Sequence, residues 1–396
     1  MTDGSIYEAS VAMHRAAGGK LGVVGKVPLE TARDLSLAYS PGVAGPCEAI
    51  AADAAESFAL TMRGNTVAVL TDGSAVLGLG DIGPTAAMPV MEGKAALFKA
   101  FADVDAVPIC ADVGSDDELI ALARAIAPGF GGINLEDIAA PRCFAVEEAL
   151  QDLGIPVFHD DQHGTAIALL AALSNAARVV GKPIESMRVV INGAGAAGSA
   201  IAKILRCVGH EPGVCIAVAD VLVCDSRGIV SPDRDDLNAF KRGLLAYTNA
   251  AGRSGGLGDA LRGADAFIGV SKGNLLTARD VRTMAADAVI LAMANPTPEI
   301  MPGEAKRGGA AVVGTGRSDL PNQVNNVLVF PGLFRGALDA RAPRITAAMK
   351  LAAVRSLADA VESPAAERIL PDPLDKAVAD RVAAAVRQAA TPPTGA

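Results

Sequence analysis

The chain has 396 residues, a formal net charge of −9, and 51% hydrophobic against 20% charged residues. That balance supports large buried cores and excludes a disordered chain. Net acidity without a basic or basic-aromatic cluster argues against nucleic acid as a partner and against adsorption to anionic membranes, so an anionic substrate has to be held locally by amide dipoles, a metal ion or a single lysine.

The first turns carry Asp3, Glu8, His14 and Arg15, which leaves no apolar signal segment. No run reaches the roughly 18 apolar residues of a membrane span, and the expectation is a soluble, cytoplasmic protein. The six cysteines (Cys47, Cys110, Cys143, Cys207, Cys215, Cys224) show no CxxC pair or zinc-type spacing. They read as small apolar core residues in a reducing compartment.

In chain order, Ile6, Ala9 and Met13 predict an amphipathic helix, followed by a glycine-rich linker from Gly18 to Gly25. Strands are predicted at Thr66–Leu70, Val107–Ala111, Gly132–Leu135 and Ile155–Phe158. Helices at Met88–Ala102, Glu118–Ala127 and Cys143–Leu153 fill the intervals. A long helix, Gly164–Val180, leads to a second series of strands at Arg188–Ile191, Val221–Cys224, Ala266–Gly269, Val289–Ala292 and Ala311–Gly314. Beyond Pro331 the chain reads as helical to about Arg387, with a frayed tail from Thr391. Strands alternating with helices of this length predict an α/β fold with mostly parallel sheets. We read two lobes, residues 1–160 and 161–396.

The segment Arg188 to Gly198 runs a strand into Gly193-Ala-Gly195-Ala196-Ala197-Gly198 and then into a helix. Gly193 suits the tight turn, Gly195 admits a pyrophosphate to the backbone, and Gly198 allows close helix–strand packing. The helix start supplies free N–H groups and a favourable dipole for phosphate. Asp225 ends the next strand, 32 residues beyond Gly193, against the usual ~20; the surplus falls in 209–220. Its carboxylate would accept from a ribose 2′-OH and favours NAD, whereas Arg227 offers a partner for the 2′-phosphate of NADP.

Two acidic pairs, Glu136-Asp137 and Asp160-Asp161, follow successive predicted strands. Each alone suits a helix N-terminus. Together, at the carboxyl ends of parallel strands, they form an all-oxygen set suited to Mg²⁺ or Mn²⁺. Lys94 lies on an otherwise apolar helix, as a snorkelling or paired residue or as a base of tuned pKa. Tyr39 alone reads as packing, and His159 and His163, beside the second acidic pair, as structural.

Seven stretches in order carry a resemblance: Ala38-Tyr-Ser-Pro-Gly-Val-Ala, Thr71 to Gly83, Pro89-Val-Met-Glu-Gly-Lys, Asn134-Leu-Glu-Asp, Val157-Phe-His-Asp-Asp-Gln-His-Gly-Thr, Ala294-Asn-Pro-Thr, and Asn325-Asn-Val-Leu-Val-Phe-Pro-Gly. They resemble the malic enzyme family in its short bacterial form. The resemblance implies oxidative decarboxylation of (S)-malate to pyruvate, a Rossmann domain for NAD or NADP, and a dimer-based assembly. It implies Glu136, Asp137 and Asp161 as metal ligands, Lys94 as base with Asp160 as its partner, and Tyr39 as acid. Asn295 and Asn326 would hold substrate, with Asn295 also near the cofactor. In short forms Tyr39 or Lys94 can act across a subunit interface. Ala75 stands where long forms carry a carboxylate-clamping arginine. Alternatives are a metal-independent hydroxy-acid or amino-acid dehydrogenase and a non-catalytic dinucleotide-binding regulator. The acid set weighs against the first, and the assembled Lys94, Tyr39 and acids against the second.

Overall fold

The computed structural model describes residues 3–76, 78–210 and 213–390; the predicted frayed tail falls outside them. Strands β1 (Thr66–Thr71), β2 (Asp105–Cys110), β3 (Gly132–Leu135) and β4 (Val157–His159) form a parallel sheet in the order β2-β1-β3-β4. A second sheet has the order β10-β9-β8-β5-β6-β7. It contains β5 (Arg188–Asn192), β6 (Asp220–Asp225), β7 (Gly228–Ile229), β8 (Ala266–Gly269), β9 (Ala288–Ala292) and β10 (Ala310–Thr315). Its pairs are parallel except β6 with β7. β1, β3, β8 and β9 are buried throughout, which explains why they read as unbroken apolar runs rather than as alternating ones.

Strand order reverses once in each sheet. From β1 the chain steps out to β2 and returns on the other side at β3; from β5 it steps to β6 and returns at β8. Crevices at the carboxyl ends of strands form at such reversals. Glu136 therefore follows β3 at one crevice, and Gly193 follows β5 at the other.

The strands lie within two residues of the predicted ends, but two helices begin earlier than expected. The Lys94 helix runs Gly83–Ala102, because Pro84 fits its first turn, where no N–H partner is needed. The long connecting helix starts at Asp160 rather than Gly164. His159 is its extended N-cap, and Asp160 and Asp161 sit in the first turn, where the helix dipole favours negative charge. The acidic pair is thus both a helix start and a strand end.

One core joins both sheets. Val67, Val69, Phe98 and Phe158 share a buried cluster with Ile167, Leu173, Val189, Ile191, Phe330 and Phe334. Phe98 packs edge-on against Phe330 and Phe334 at 4.7 and 5.4 Å, which brings the C-terminal helix Phe330–Asp339 onto the Lys94 helix. Asn175, fully buried in the connecting helix, donates to Ala358 O and Ile369 O, each at 2.9 Å. Among the described residues, no helix is long and apolar enough to cross a membrane.

One expectation needs correction. Cys207 and Cys215 form a disulfide across the segment that lengthens the β5–β6 crossover, and Cys47 is exposed, so the cysteines are not uniformly thiols of the core. The N-terminal helix, Asp3–Ala17, forms, but its apolar face finds no cover: Ile6 and Met13 are half exposed. The exposed apolar stretch continues through Val23, Val24, Val27, Leu29, Leu35 and Leu37.

Candidate active site

The site grows from three strand ends. After β3 the chain places Glu136, whose N–H donates to Leu70 O at 3.0 Å. Asp137 follows in the left-handed region, with φ +53°. That conformation is uncommon for a residue with a side chain and marks a turn held by its surroundings. It is held on both sides: Asp137 N donates to Asp161 Oδ2 at 2.8 Å, and its carbonyl accepts from Ala75 N at 2.9 Å. Carboxylate oxygens of Glu136, Asp137 and Asp161 lie within 4.8 Å of one another.

Lys94 enters this acid group from the side. Its Nζ lies 2.5 Å from Asp160 Oδ2 and 2.8 Å from Glu136 Oε1, and 4.2 Å from the centre of the Phe330 ring. Asn326 Nδ2 donates to the same Asp160 oxygen at 2.5 Å, and Asn134 Nδ2 to Glu136 Oε2 at 2.8 Å. A Cβ on Gly164 would lie 1.8 Å from Asp160 Oδ1, so only glycine leaves that carboxylate its place. Lys94, Glu136, Asp137 and Asp160 are all buried.

Four carboxyl groups face one ammonium. Burial, reinforced by the neighbouring acids, raises Glu136 well above the usual range and Asp160 to about 6, although Lys94 opposes both. Burial alone would lower Lys94, but Asp160, Glu136 and Asp161 outweigh it and hold the amine charged. Buried charge of one sign in excess is costly unless a counter-ion joins it. Three clustered carboxylates, oxygen donors throughout, fit a hard divalent cation of the Mg²⁺ or Mn²⁺ type.

Behind the acids, Glu147 bonds the first turn of the connecting helix. Its Oε2 meets His163 Nε2 at 3.0 Å and its Oε1 accepts from His159 N at 3.2 Å. Burial raises Glu147, but His163 and these bonds prevail and bring it to about 2. His163 is a structural partner through its ring, whereas His159 is held by its backbone N–H. The buried His159 ring has no hydrogen-bond partner among the described residues, and its Nδ1 lies 3.8 Å from Asp161 Oδ2; burial lowers both histidines.

Across the cleft stands the glycine-rich turn. Gly193 has φ +131°, and a Cβ there would lie 2.6 Å from Val270 O; a Cβ on Gly198 would lie 1.7 Å from Gly193 O. At Gly195, the N-cap of the helix Ala196–Leu205, a Cβ would meet nothing within 4 Å, which leaves the approach to the helix N-terminus open. Two cavities flank this turn. One of about 390 Å³ is lined by Asp137 and Asp161, with Asn326 bonded to the neighbouring Asp160, and by Ala196, Ala197 and Asn295. The second, about 750 Å³, contains Gly193, Gly195, Asp225, Arg227 and Lys241. Ser271 lines both, so they meet at one edge.

Asp225 ends β6 beside the second cavity, but with partners the sequence did not reveal. Arg234 binds both of its oxygens, at 2.8 and 3.1 Å, and Lys241 Nζ lies 2.6 Å from Oδ2. Burial opposes ionisation there; these cations and the Arg227 N–H prevail and hold the carboxyl well below its usual range. The Arg227 guanidinium pairs with Asp236 at 3.2 Å.

Lys94, Glu136, Asp137, Asp160, Asp161, Asn295 and Asn326 are thus brought to one region, and Gly193, Gly195, Ala196, Ala197, Gly198, Asp225 and Arg227 to the adjoining one. Tyr39 is not brought there. It caps the short helix Ala32–Ala38, is 70% exposed and is absent from the lining of either cavity. Arg234 and Lys241 escaped sequence reading because they lie nine and 16 positions beyond Asp225, past the short strand β7, where no motif or period ties them to it.

Residues 18–119 match the family description "Malic enzyme, N-terminal domain", and residues 162–391 match "Malic enzyme, NAD binding domain". A bifunctional malic/malolactic enzyme of Bacillus subtilis is 52% identical over 98% of this chain and 93% of its own. An NADP-dependent malic enzyme of Rhizobium meliloti is 48% identical over 91% of this chain and 46% of its own. The crystal structure of an NAD-dependent malic enzyme of Thermotoga maritima superposes with a TM-score of 0.91 at 46% identity, covering 95% of this chain and 98% of that one.

Proposed function

The chain belongs to the malic enzyme family, and we propose that it oxidatively decarboxylates (S)-malate to pyruvate and CO₂ while reducing a nicotinamide dinucleotide. The observation that carries this reading is the smaller cavity, where the acid cluster and the start of the dinucleotide helix face each other. Glu136, Asp137 and Asp161 would hold the divalent cation. When bound, the cation supplies Lewis-acid polarisation of the substrate oxygen and the nicotinamide supplies the hydride acceptor.

The chain's own residues handle protons and position. Lys94 takes the C2 hydroxyl proton after passing its own to Asp160. The 2.5 Å contact gives that proton its route; the neighbouring carboxylates otherwise hold the amine charged, so the exchange requires their charge to be taken up first. Asn326 donates to the same Asp160 oxygen that Lys94 contacts, and Asn295 and Asn326 present amides to the substrate carboxylates where Ala75 provides no cation. The test is reduction of the dinucleotide by malate with Mn²⁺, with pyruvate identified as product. Unaltered turnover in EDTA would favour a metal-independent hydroxy-acid dehydrogenase. Tight dinucleotide binding without turnover would favour a regulator.

Protonation of C3 is assigned to Tyr39 of a second copy, whose apolar N-terminal segment needs cover that its own chain does not provide. Inactive Tyr39→Phe and Lys94→Ala proteins, unfolded together and refolded, should then regain about a quarter of wild-type activity, since in a two-fold dimer one site in four unites both intact residues. No regain would place both groups on one chain.

We propose NAD as the preferred cofactor, because the ionised Asp225 lies where a 2′-phosphate would add a second anion. Lys241 and Arg234 would be freed by its removal. Asp225→Ser should therefore shift the NADP-to-NAD ratio of kcat/KM upward by about 100-fold, or nearly 3 kcal/mol. A ratio that stays constant would remove Asp225 from cofactor choice.

A further inference from the structure

Glu299 is fully buried between the two loops that line the dinucleotide side of the smaller cavity. Its Oε1 accepts from Ser271 N, beyond β8, and its Oε2 from Ala294 N, beyond β9, both at 3.0 Å. Its own carbonyl accepts from Leu275 N and Leu276 N at 2.8 and 3.0 Å. Among the described residues it forms no ion pair. A buried carboxylate without a cation is a costly way to join two loops, and a neutral side chain would serve plain packing better. The surroundings are shaped for it: a Cβ on Gly269 would lie 2.3 Å from the Glu299 carboxyl carbon.

Only an ionised carboxylate offers acceptors alone on both oxygens. Glutamine would turn one NH₂ toward a backbone N–H and leave that donor unpaired. Glu299 thus fixes the separation of Ser271, which lines both cavities, from the Ala294–Asn295 loop, which lines only the one holding the acids. We propose that Glu299 is a positioning residue that sets the seat of the nicotinamide half of the cofactor relative to Asn295 and the substrate, without touching either. This rests on the malate-oxidising reading above.

The test compares Glu299→Gln with wild type in binding of NADH, which has the nicotinamide, and of ADP-ribose, which lacks it. Kd for NADH should rise about tenfold and kcat should fall by up to about 100-fold, the scale of a small misplacement at the reacting centre. Kd for ADP-ribose and for Mn²⁺ should stay within about twofold. Gly269→Ala, which crowds the carboxylate without removing it, should give the same split and serves if Glu299→Gln folds poorly. Equal weakening of NADH and ADP-ribose, or a lower Tm with binding and kcat unchanged, would overturn the positioning role. Wild-type protein inactive with malate would refute the proposed reaction, while the NADH to ADP-ribose comparison would still report on Glu299.

Discussion

Lys94→Ala is expected to lower kcat by about 10³, within the range that a positioned proton-transfer group contributes, without weakening Mn²⁺ binding. The expectation rests on geometry. Lys94 is the cation in contact with both Asp160 and Glu136, and an ammonium offers no lone pair to a metal, so the oxygens of the proposed metal site come from Glu136, Asp137 and Asp161. Removing one partner from a buried pair ordinarily costs about 3–5 kcal/mol, enough to threaten the fold. Here the loss should be smaller, because burial already raises Glu136 and Asp160 toward neutrality and both can take up a proton. Lys94→Arg should not restore the rate, since guanidinium does not give up its proton in this range. Steady-state kinetics with Mn²⁺ titration checks both halves; an unchanged kcat would remove the lysine from the mechanism.

The second large effect is expected at Asp161. Asp161→Asn should weaken Mn²⁺ by more than about 100-fold, beyond the usual cost of losing a supporting contact to a metal ligand, and should abolish turnover. It should also remove a pH signature from the wild type. A carboxyl whose folded pKa exceeds its unfolded value gives a stabilising share that is complete below the unfolded value and is lost as pH rises through the folded one. For Asp160 the two values are 3.8 and about 6, and Glu136 is raised in the same direction. Metal-free protein should therefore lose stability between about pH 4 and pH 6, the interval in which Mn²⁺ replaces protons as the counter-charge. The rise in Tm on adding Mn²⁺ should be small near pH 4 and grow toward pH 7 in the wild type, and vanish in Asp161→Asn. A pH-independent Mn²⁺ effect on wild-type Tm would show that these carboxyls do not hold the ion.

Much of this site was readable before the fold. Buried parallel strands leave unbroken apolar runs, and the acids and glycines stand where those runs end, so strand ends and chemistry were found together. The glycine roles were legible because sterics dictate them: Gly198 has no room for a Cβ and Gly193 has a positive φ. What was missed depends on contacts between distant segments. Arg234 reaches Asp225 from a loop and Lys241 from the short helix Ala239–Leu244, neither marked by a motif, and Glu299 looks like an ordinary acid after Asn-Pro-Thr-Pro. The connecting helix begins four residues before the predicted Gly164, because the strand end and the helix start coincide at Asp160 and no turn residue marks the boundary between them. Tyr39 carries a matched motif, and a motif does not tell on which chain's site its side chain acts.

The helix Asp160–Val179 has one further consequence. Its first turn supplies Asp160 and Asp161, while Ile167, Ala168, Leu169, Ala171 and Leu173 farther along are fully enclosed in the core common to both sheets. The link between the two sheets is therefore a continuous packed helix, and any movement of one sheet against the other would have to repack this core. The same property limits recombination. A chimera that took one sheet from a relative would inherit half a core along with half a site, so its success would depend on matched packing around this helix more than on matched motifs.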